Sequence, residues 1–247
     1  MRIRSWAERR EARVLSAAMA LAVVACSAAP SKDKAADTSA VARRPESKPG
    51  RATPAASSRK QILFVGTSLT AGLGLEPDSA YPMLIQRKID SAGLPFDVVN
   101  AGVSGETSSG LLDRLDWLLR GQFALMVLET GANDGLRGIA PSVVKSNLEA
   151  ALSRIKAKRP DARIVLVQME ALPNLGPKYA SEFHAVYPAV AKEEGVPLMP
   201  FLLTDVAGHR ELNQGDGVHP NYKGERIVAA NVWKELRPIL DSLTTGD

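Results

Sequence analysis

Two apolar runs of seven residues, FALMVLE (123–129) and RIVLVQM (163–169), constrain this chain more than any other feature. Each run is near-continuous rather than alternating. Such a strand hides both faces, as a parallel strand does when helices cover it above and below. Segments with helical spacing lie between the runs. Tyr81, Leu84, Ile85 and Ile89 form one apolar stripe, and Leu111, Leu112, Leu115, Leu118 and Leu119 form another. Val144, Leu148, Ala151, Leu152 and Ile155 make a third. Strands are expected at 62–66, 97–101, 123–129, 163–169 and 197–201, and helices at 79–92, 107–120, 141–158, 178–194 and 223–240. This alternation predicts an α/β fold, a three-layer α/β/α sandwich on a five-stranded parallel sheet. It occupies residues 61–242, and no repeat or second folded domain is visible.

The N-terminal quarter has a different composition. Residues 1–13 are Arg-rich and Val14–Ala25 is an uncharged apolar run. A positive segment followed by an apolar stretch too short to span a bilayer is the pattern of an export signal, assigned here to residues 1–25. Val23-Val24-Ala25-Cys26 resembles the lipobox of bacterial lipoproteins, and Cys26 is the single cysteine. That resemblance implies cleavage before Cys26 and lipid attachment to it. Ser27 behind it implies outer-membrane sorting, so the expected location is the periplasm, anchored to the outer membrane. Ordinary cleavage near Ala25 or Ala28, releasing a soluble product, is the alternative. Residues 26–60 are rich in Ala, Ser, Lys, Pro and Thr and read as a disordered linker. As a coil, it would reach roughly 30–35 Å.

Charge follows the same division. Residues 1–60 carry 13 Lys/Arg and 5 Asp/Glu, whereas residues 61–247 carry 18 and 22. A mildly acidic domain argues against nucleic-acid binding. One cysteine excludes an intrachain disulfide, and three histidines without zinc spacing argue against a metal site.

The residues that carry chemistry fall at strand ends. The stretch ILFVGTSLTAGLG (62–74) is an apolar run broken at Gly66, which leaves Ser68 at the sheet edge. Parallel sheets place their sites beyond the carboxyl ends of strands. NAGVSGET (100–107) and GANDG (131–135) occupy the corresponding positions after the next two strands. A serine nucleophile needs a base, and a neutral histidine in that role needs its second ring nitrogen held by an acceptor. DGVHPN (216–221) can supply both from one turn, with His219 as base and Asp216 as orienting acid. Acyl transfer also needs N–H donors for the oxyanion. The backbone of Ser68, the backbone of Gly105 and the amide of Asn133 are the candidates. Read singly, each of these residues is also ordinary turn chemistry. The rival pair Asp205/His209 lacks the glycine turn and the following helix, so His209 is read as a surface or loop residue. His184, beside Phe183 and Tyr187, is read as packing. Asp134 is read as a loop or cap residue, and Glu129 as a support behind the site.

Taken together and in this order, GTSLTAGLGL, the Gly of NAGVSGET, the Asn of GANDGLRG and DGVHPN resemble the blocks of the SGNH (GDSL) hydrolases. The bacterial periplasmic branch of acyl-thioesterases, lysophospholipases and arylesterases is the most similar, through YPMLIQ, VYPAVAKE and VPLMPF as well. The resemblance implies a flavodoxin-like sandwich. It implies Ser68 as nucleophile, His219 as base and Asp216 as orienter, with Ser68, Gly105 and Asn133 as oxyanion hole and no metal or cofactor. Thr67 departs from the pattern, which has Asp there. The motif is not the Gly-x-Ser-x-Gly elbow, because the next glycine is Gly72.

The expectation is therefore a monomeric serine esterase or thioesterase. Its substrates would be small-molecule esters or thioesters such as acyl-CoA, lysophospholipid or aryl esters, cleaved through an acyl-enzyme. Leu172, Pro173 and Leu175, after the fourth strand, are expected to line an acyl groove. A carbohydrate O-acetylesterase and a catalytically idle surface lipoprotein are the alternatives.

Overall fold

A computed structural model describes residues 59–245. The expected signal segment, Cys26 and residues 27–58 of the expected linker lie outside the described residues. Arg59 and Lys60, counted with that linker, belong to the folded domain. Arg59 pairs with Asp90 at 2.6 Å and Asp97 at 2.9 Å, and Lys60 opens the first strand.

Five parallel strands form one sheet in the order β2-β1-β3-β4-β5. They are β1 (Lys60–Gly66), β2 (Phe96–Gly102), β3 (Leu125–Leu128), β4 (Arg163–Val167) and β5 (Leu198–Met199). Helices α2 (Tyr81–Ser91) and α7 (Tyr222–Thr245) pack together over one side. Helices α3 (Ser108–Leu118), α5 (Pro141–Lys158) and α6 (Pro177–Glu193) adjoin in series over the other. All five expected strands and five expected long helices are present.

Every residue of β3 is buried, and β1 and β4 expose only their first residues, as the unbroken apolar runs predict. The stripe Val144, Leu148, Ala151, Leu152 and Ile155 is wholly buried. β5 is shorter than the expected 197–201 because Pro197 and Pro200 bracket it. A proline cannot donate to the ladder, although Pro197 still accepts from Leu166 N at 3.0 Å. The free edge of β2 is blunted by side chains. Gln86 Oε1 accepts from Val98 N and Asn100 Oδ1 from Gly102 N.

Two short helices lie where the sequence predicts none. α1 (Ser68–Ala71) and α4 (Ala132–Arg137) occupy stretches whose composition reads as loop. Thr67 caps α1 at its start, and left-handed Gly72 (φ 72°) ends it. Left-handed Gly131 and Gly138 bracket α4. α1 follows β1 and α4 follows β3. In this strand order the chain leaves neighbouring strands β1 and β3 toward opposite faces, which opens a crevice beyond their carboxyl ends.

Candidate active site

The crevice is built from glycine outward. A side chain on Gly66 would meet Thr70 Oγ1 at 2.0 Å and Glu129 Oε2 at 2.4 Å, so only glycine lets the chain turn there. Buried Glu129 accepts from Thr67 N (2.7 Å), Thr67 Oγ1 (3.0 Å) and Thr70 Oγ1 (2.9 Å). These donors bracket Ser68 on both sides. Burial pushes the Glu129 carboxyl up, and the Thr67 N–H and the two hydroxyls oppose that shift. Glu129 thus supports the serine turn from behind, as its position in the sequence suggests.

Ser68 is the first residue of α1 and is 8% exposed. Its Oγ lies 2.8 Å from His219 Nε2, across 151 residues of chain. His219 Nδ1 lies 2.6 Å from Asp216 Oδ2. The other Asp216 oxygen accepts from Val218 N (2.9 Å) and His219 N (3.0 Å). Those backbone donors, and then the His219 ring, pull the Asp216 carboxyl down to about 2. Asp216 is therefore an anion throughout the neutral range. An anion at Nδ1 favours the tautomer with Nδ1–H, which leaves Nε2 free to accept the Ser68 proton.

The histidine turn is fastened at both ends. Gln214 donates from its backbone to His219 O (2.8 Å) and from its side chain to Leu73 O (2.7 Å) and Pro220 O (2.9 Å). The Leu73 bond ties this turn to the loop behind Ser68. Asn221 Oδ1 accepts from Lys223 N and Gly224 N at the start of α7. The sequence reading singles out neither Gln214 nor Asn221. An Asn one residue before a helix is a capping signal that points to the second of them.

On the other side of the crevice, Asn133 (9% exposed) donates to Glu106 O at 2.9 Å. This brings the start of α4 against the loop that carries Gly105. Gly105 has φ 79°, and its carbonyl accepts from Arg137 Nη2 at 3.0 Å. Asp134 is buried and accepts from Ser108 N (2.8 Å) and Ser108 Oγ (2.6 Å), which anchors the first turn of α3 to α4. It is a cap, as expected, though for a helix remote in sequence.

An apolar groove of about 250 Å³ adjoins the serine turn, with Leu69, Ala132, Leu136, Met169, Phe201 and Val218 in its walls. Leu172 and Pro173 also line it, but Leu175 does not. Leu175 turns instead toward Gly138, where an added Cβ would meet its methyl groups at 3.7 and 3.8 Å. A larger cleft of about 520 Å³ lies between β2 and α3, beside Trp117. It touches none of Leu69, Ala132 or Val218, the chain neighbours of Ser68, Asn133 and His219, whereas all three line the smaller groove. His209 faces Glu211 (3.5 Å) rather than Asp205. His184 is not a packing residue. Its side chain is 60% exposed and its Nδ1 lies 2.7 Å from Glu170 Oε1, at the groove wall. Among the described residues, no cluster of three or more His, Cys, Asp or Glu could hold a metal ion, and no helix is long and apolar enough to cross a membrane.

Residues 64–227 match the model of the GDSL-like lipase/acylhydrolase family. The chain belongs to that family. Its relatives include "Esterase TesA" of Pseudomonas aeruginosa, 40% identical over 185 residues, 74% of this chain and 91% of the relative. "Thioesterase 1/protease 1/lysophospholipase L1" of Escherichia coli K12 is 37% identical over 187 residues, 75% and 88% of the two chains. Among solved structures, the psychrotrophic esterase EstA from Pseudoalteromonas sp., inhibited by monoethylphosphonate, superposes with a TM-score of 0.70 at 33% identity, covering 74% of this chain and 99% of that one. The matched residues 64–227 include Ser68, Gly105, Asn133, Asp216 and His219.

Proposed function

We propose that this chain is a serine esterase and thioesterase that cleaves carboxylic esters and thioesters through a covalent acyl-enzyme. One observation carries the reading: the continuous path from Asp216 to His219 to Ser68, at 2.6 and 2.8 Å. In this reading Ser68 Oγ attacks the substrate carbonyl while His219 Nε2 takes its proton. The N–H groups of Ser68 and Gly105 and the Asn133 amide receive the oxyanion. His219 then passes the proton to the leaving alcohol or thiol. Water repeats the sequence on the acyl-enzyme and regenerates Ser68. No step calls for a metal or cofactor.

The groove is the acyl site in this account, with Leu172 and Pro173 in its wall and Leu175 outside it. A volume of about 250 Å³ holds several carbons, since one water occupies roughly 30 Å³ of liquid. That supports acyl chains longer than acetate over a sugar O-acetylesterase. Relatives are named arylesterase and thioesterase/lysophospholipase, and the substrate classes proposed here are acyl-CoA, lysophospholipid and aryl esters. Export through residues 1–25, with Cys26 as lipid anchor and the periplasm as destination, completes the proposal.

A p-nitrophenyl ester series from acetate to decanoate, run beside an acyl-CoA, tests it. The expected result is turnover that peaks beyond acetate and vanishes in Ser68→Ala. Activity on acetate alone favours the O-acetylesterase, and undiminished activity in Ser68→Ala refutes the assignment. Cys26→Ser should abolish labelling by a palmitate analogue in the native host.

A further inference from the structure

Asn133 and Arg137 stand four residues apart on α4, so their side chains leave one face of the helix. They donate to consecutive carbonyls of a single loop. Asn133 Nδ2 reaches Glu106 O at 2.9 Å, and Arg137 Nη2 reaches Gly105 O at 3.0 Å. That loop is a turn. Glu106 N donates to Val103 O at 3.2 Å, and Val103 N is itself held by Gly66 O at 2.8 Å. Ser104 and Gly105 are the central residues, and Gly105 has φ 79°. A positive φ at the third turn position is the mark of type II; type I has about −90° there. The two forms differ by reversal of the 104–105 peptide, the peptide that carries the Gly105 N–H. Glycine tolerates both signs of φ, so the residue itself does not choose.

A basic residue in the last turn of a helix commonly does no more than complement the helix dipole. Arg137 ends α4 and meets that description, yet its guanidinium also reaches across to the Gly105 carbonyl. Three covalent bonds separate that carbonyl oxygen from Gly105 N, which puts the guanidinium nitrogen within about 7 Å of the amide. We propose that Arg137 is a positioning residue for the oxyanion hole. By pinning Gly105 O it holds the turn in the form whose Gly105 N–H faces the crevice. Asn133 holds the next carbonyl, so α4 grips two consecutive peptides, 105–106 and 106–107. This inference rests on Gly105 N–H being an oxyanion donor, as the proposed mechanism has it.

The test compares wild type, Arg137→Ala, Arg137→Lys and Ser68→Ala on a neutral substrate, p-nitrophenyl butyrate. Deleting an oxyanion donor outright costs about 10²–10³ in rate, so loosening one should lower kcat about tenfold in Arg137→Ala. KM should stay within about twofold, because the oxyanion exists only along the reaction path. The rate of phosphonylation by a fluorophosphonate should fall in proportion to kcat, and Arg137→Lys, which keeps a donor, should recover part of both. The melting temperature should hold, since Arg137 is exposed. Wild-type kcat in Arg137→Ala overturns the proposal. So does a loss of kcat that tracks melting temperature and is not recovered by lysine. If Ser68→Ala retains activity, the underlying mechanism fails instead, and the two failures are distinct.

Discussion

Thr67 gives both its N–H and its hydroxyl to Glu129, and Thr70 adds a second hydroxyl. An aspartate at position 67, the residue common in this motif, has no hydroxyl to give. It would set two carboxyl groups side by side, and one would have to hold a proton. Here the threonine lets Glu129 be an acceptor for every neighbouring donor. Glu129→Gln turns one acceptor atom into an N–H₂ that faces those donors. We expect a loss of about 1–3 kcal/mol of stability, the usual cost of a buried polar group left poorly matched. A fall in kcat larger than any change in KM should accompany it, measured by denaturant unfolding and steady-state kinetics. Asp216 lies at the other extreme. Its carboxyl, held down to about 2, stays ionised far below neutrality. The orienting carboxylate is therefore charged across the whole working range, and a pH–rate profile in Asp216→Asn should drop in height throughout that range.

At the scale of elements, the division between what is readable in the sequence and what is not has a physical cause. β3, β4 and α5 declare themselves because covering both faces of a strand, or one stripe of a helix, demands apolar residues at fixed spacing. α1 and α4 have four and six residues, too few for a periodic stripe to form. They are held by caps and by contacts from distant segments, as Asp134 holds Ser108. The hydrogen-bonded path from Asp216 to His219 to Ser68 is legible for a related reason: Asp216 and His219 lie on one turn, and serine follows a strand that breaks at glycine. Arg137 does not stand out alone, although its spacing from Asn133 is the signal that places both on one face. His184 reads as packing because Phe183 and Tyr187 flank it. The buried stripe of α6 runs through Phe183, Val186, Tyr187 and Val190 and leaves His184 beside it, facing Glu170. The groove is likewise a product of several elements, α1, α4 and the segments after β4 and β5. Filling it from one wall, with Leu136→Trp, should shift the optimum of a p-nitrophenyl ester series toward shorter acyl chains. An unchanged optimum would place the acyl chain elsewhere.

Across the whole molecule, the serine turn is coupled to the last helix through buried polar groups. Thr70 Oγ1 lies 2.9 Å from Tyr81 OH, and Tyr81 N donates to Glu225 Oε2 at 2.6 Å, so α1, α2 and α7 meet there. Burial pushes the Glu225 carboxyl up to about 8 from 4.5. Its pKa is raised on folding, so the folded state keeps a proton that the unfolded chain releases. Stability from this group is complete below about pH 4.5 and declines as pH rises to about 8. A tenfold change in proton affinity corresponds to about 1.4 kcal/mol, so the decline amounts to a few kcal/mol at most. Glu225→Gln, neutral at every pH, should match wild type in melting temperature near pH 5 and exceed it at pH 8.5. A parallel pH dependence in the two proteins would show that Glu225 does not set it. The same long-range architecture brings Ser68, from the front of the domain, to His219, from its end. Fluorophosphonate labelling of the folded protein, located by peptide mass mapping, tests this juxtaposition most directly. The expected result is a single adduct on Ser68, formed at least about 10³-fold more slowly in His219→Ala, as befits loss of the base in a triad. An adduct on another residue, or equal rates in the two proteins, would contradict it.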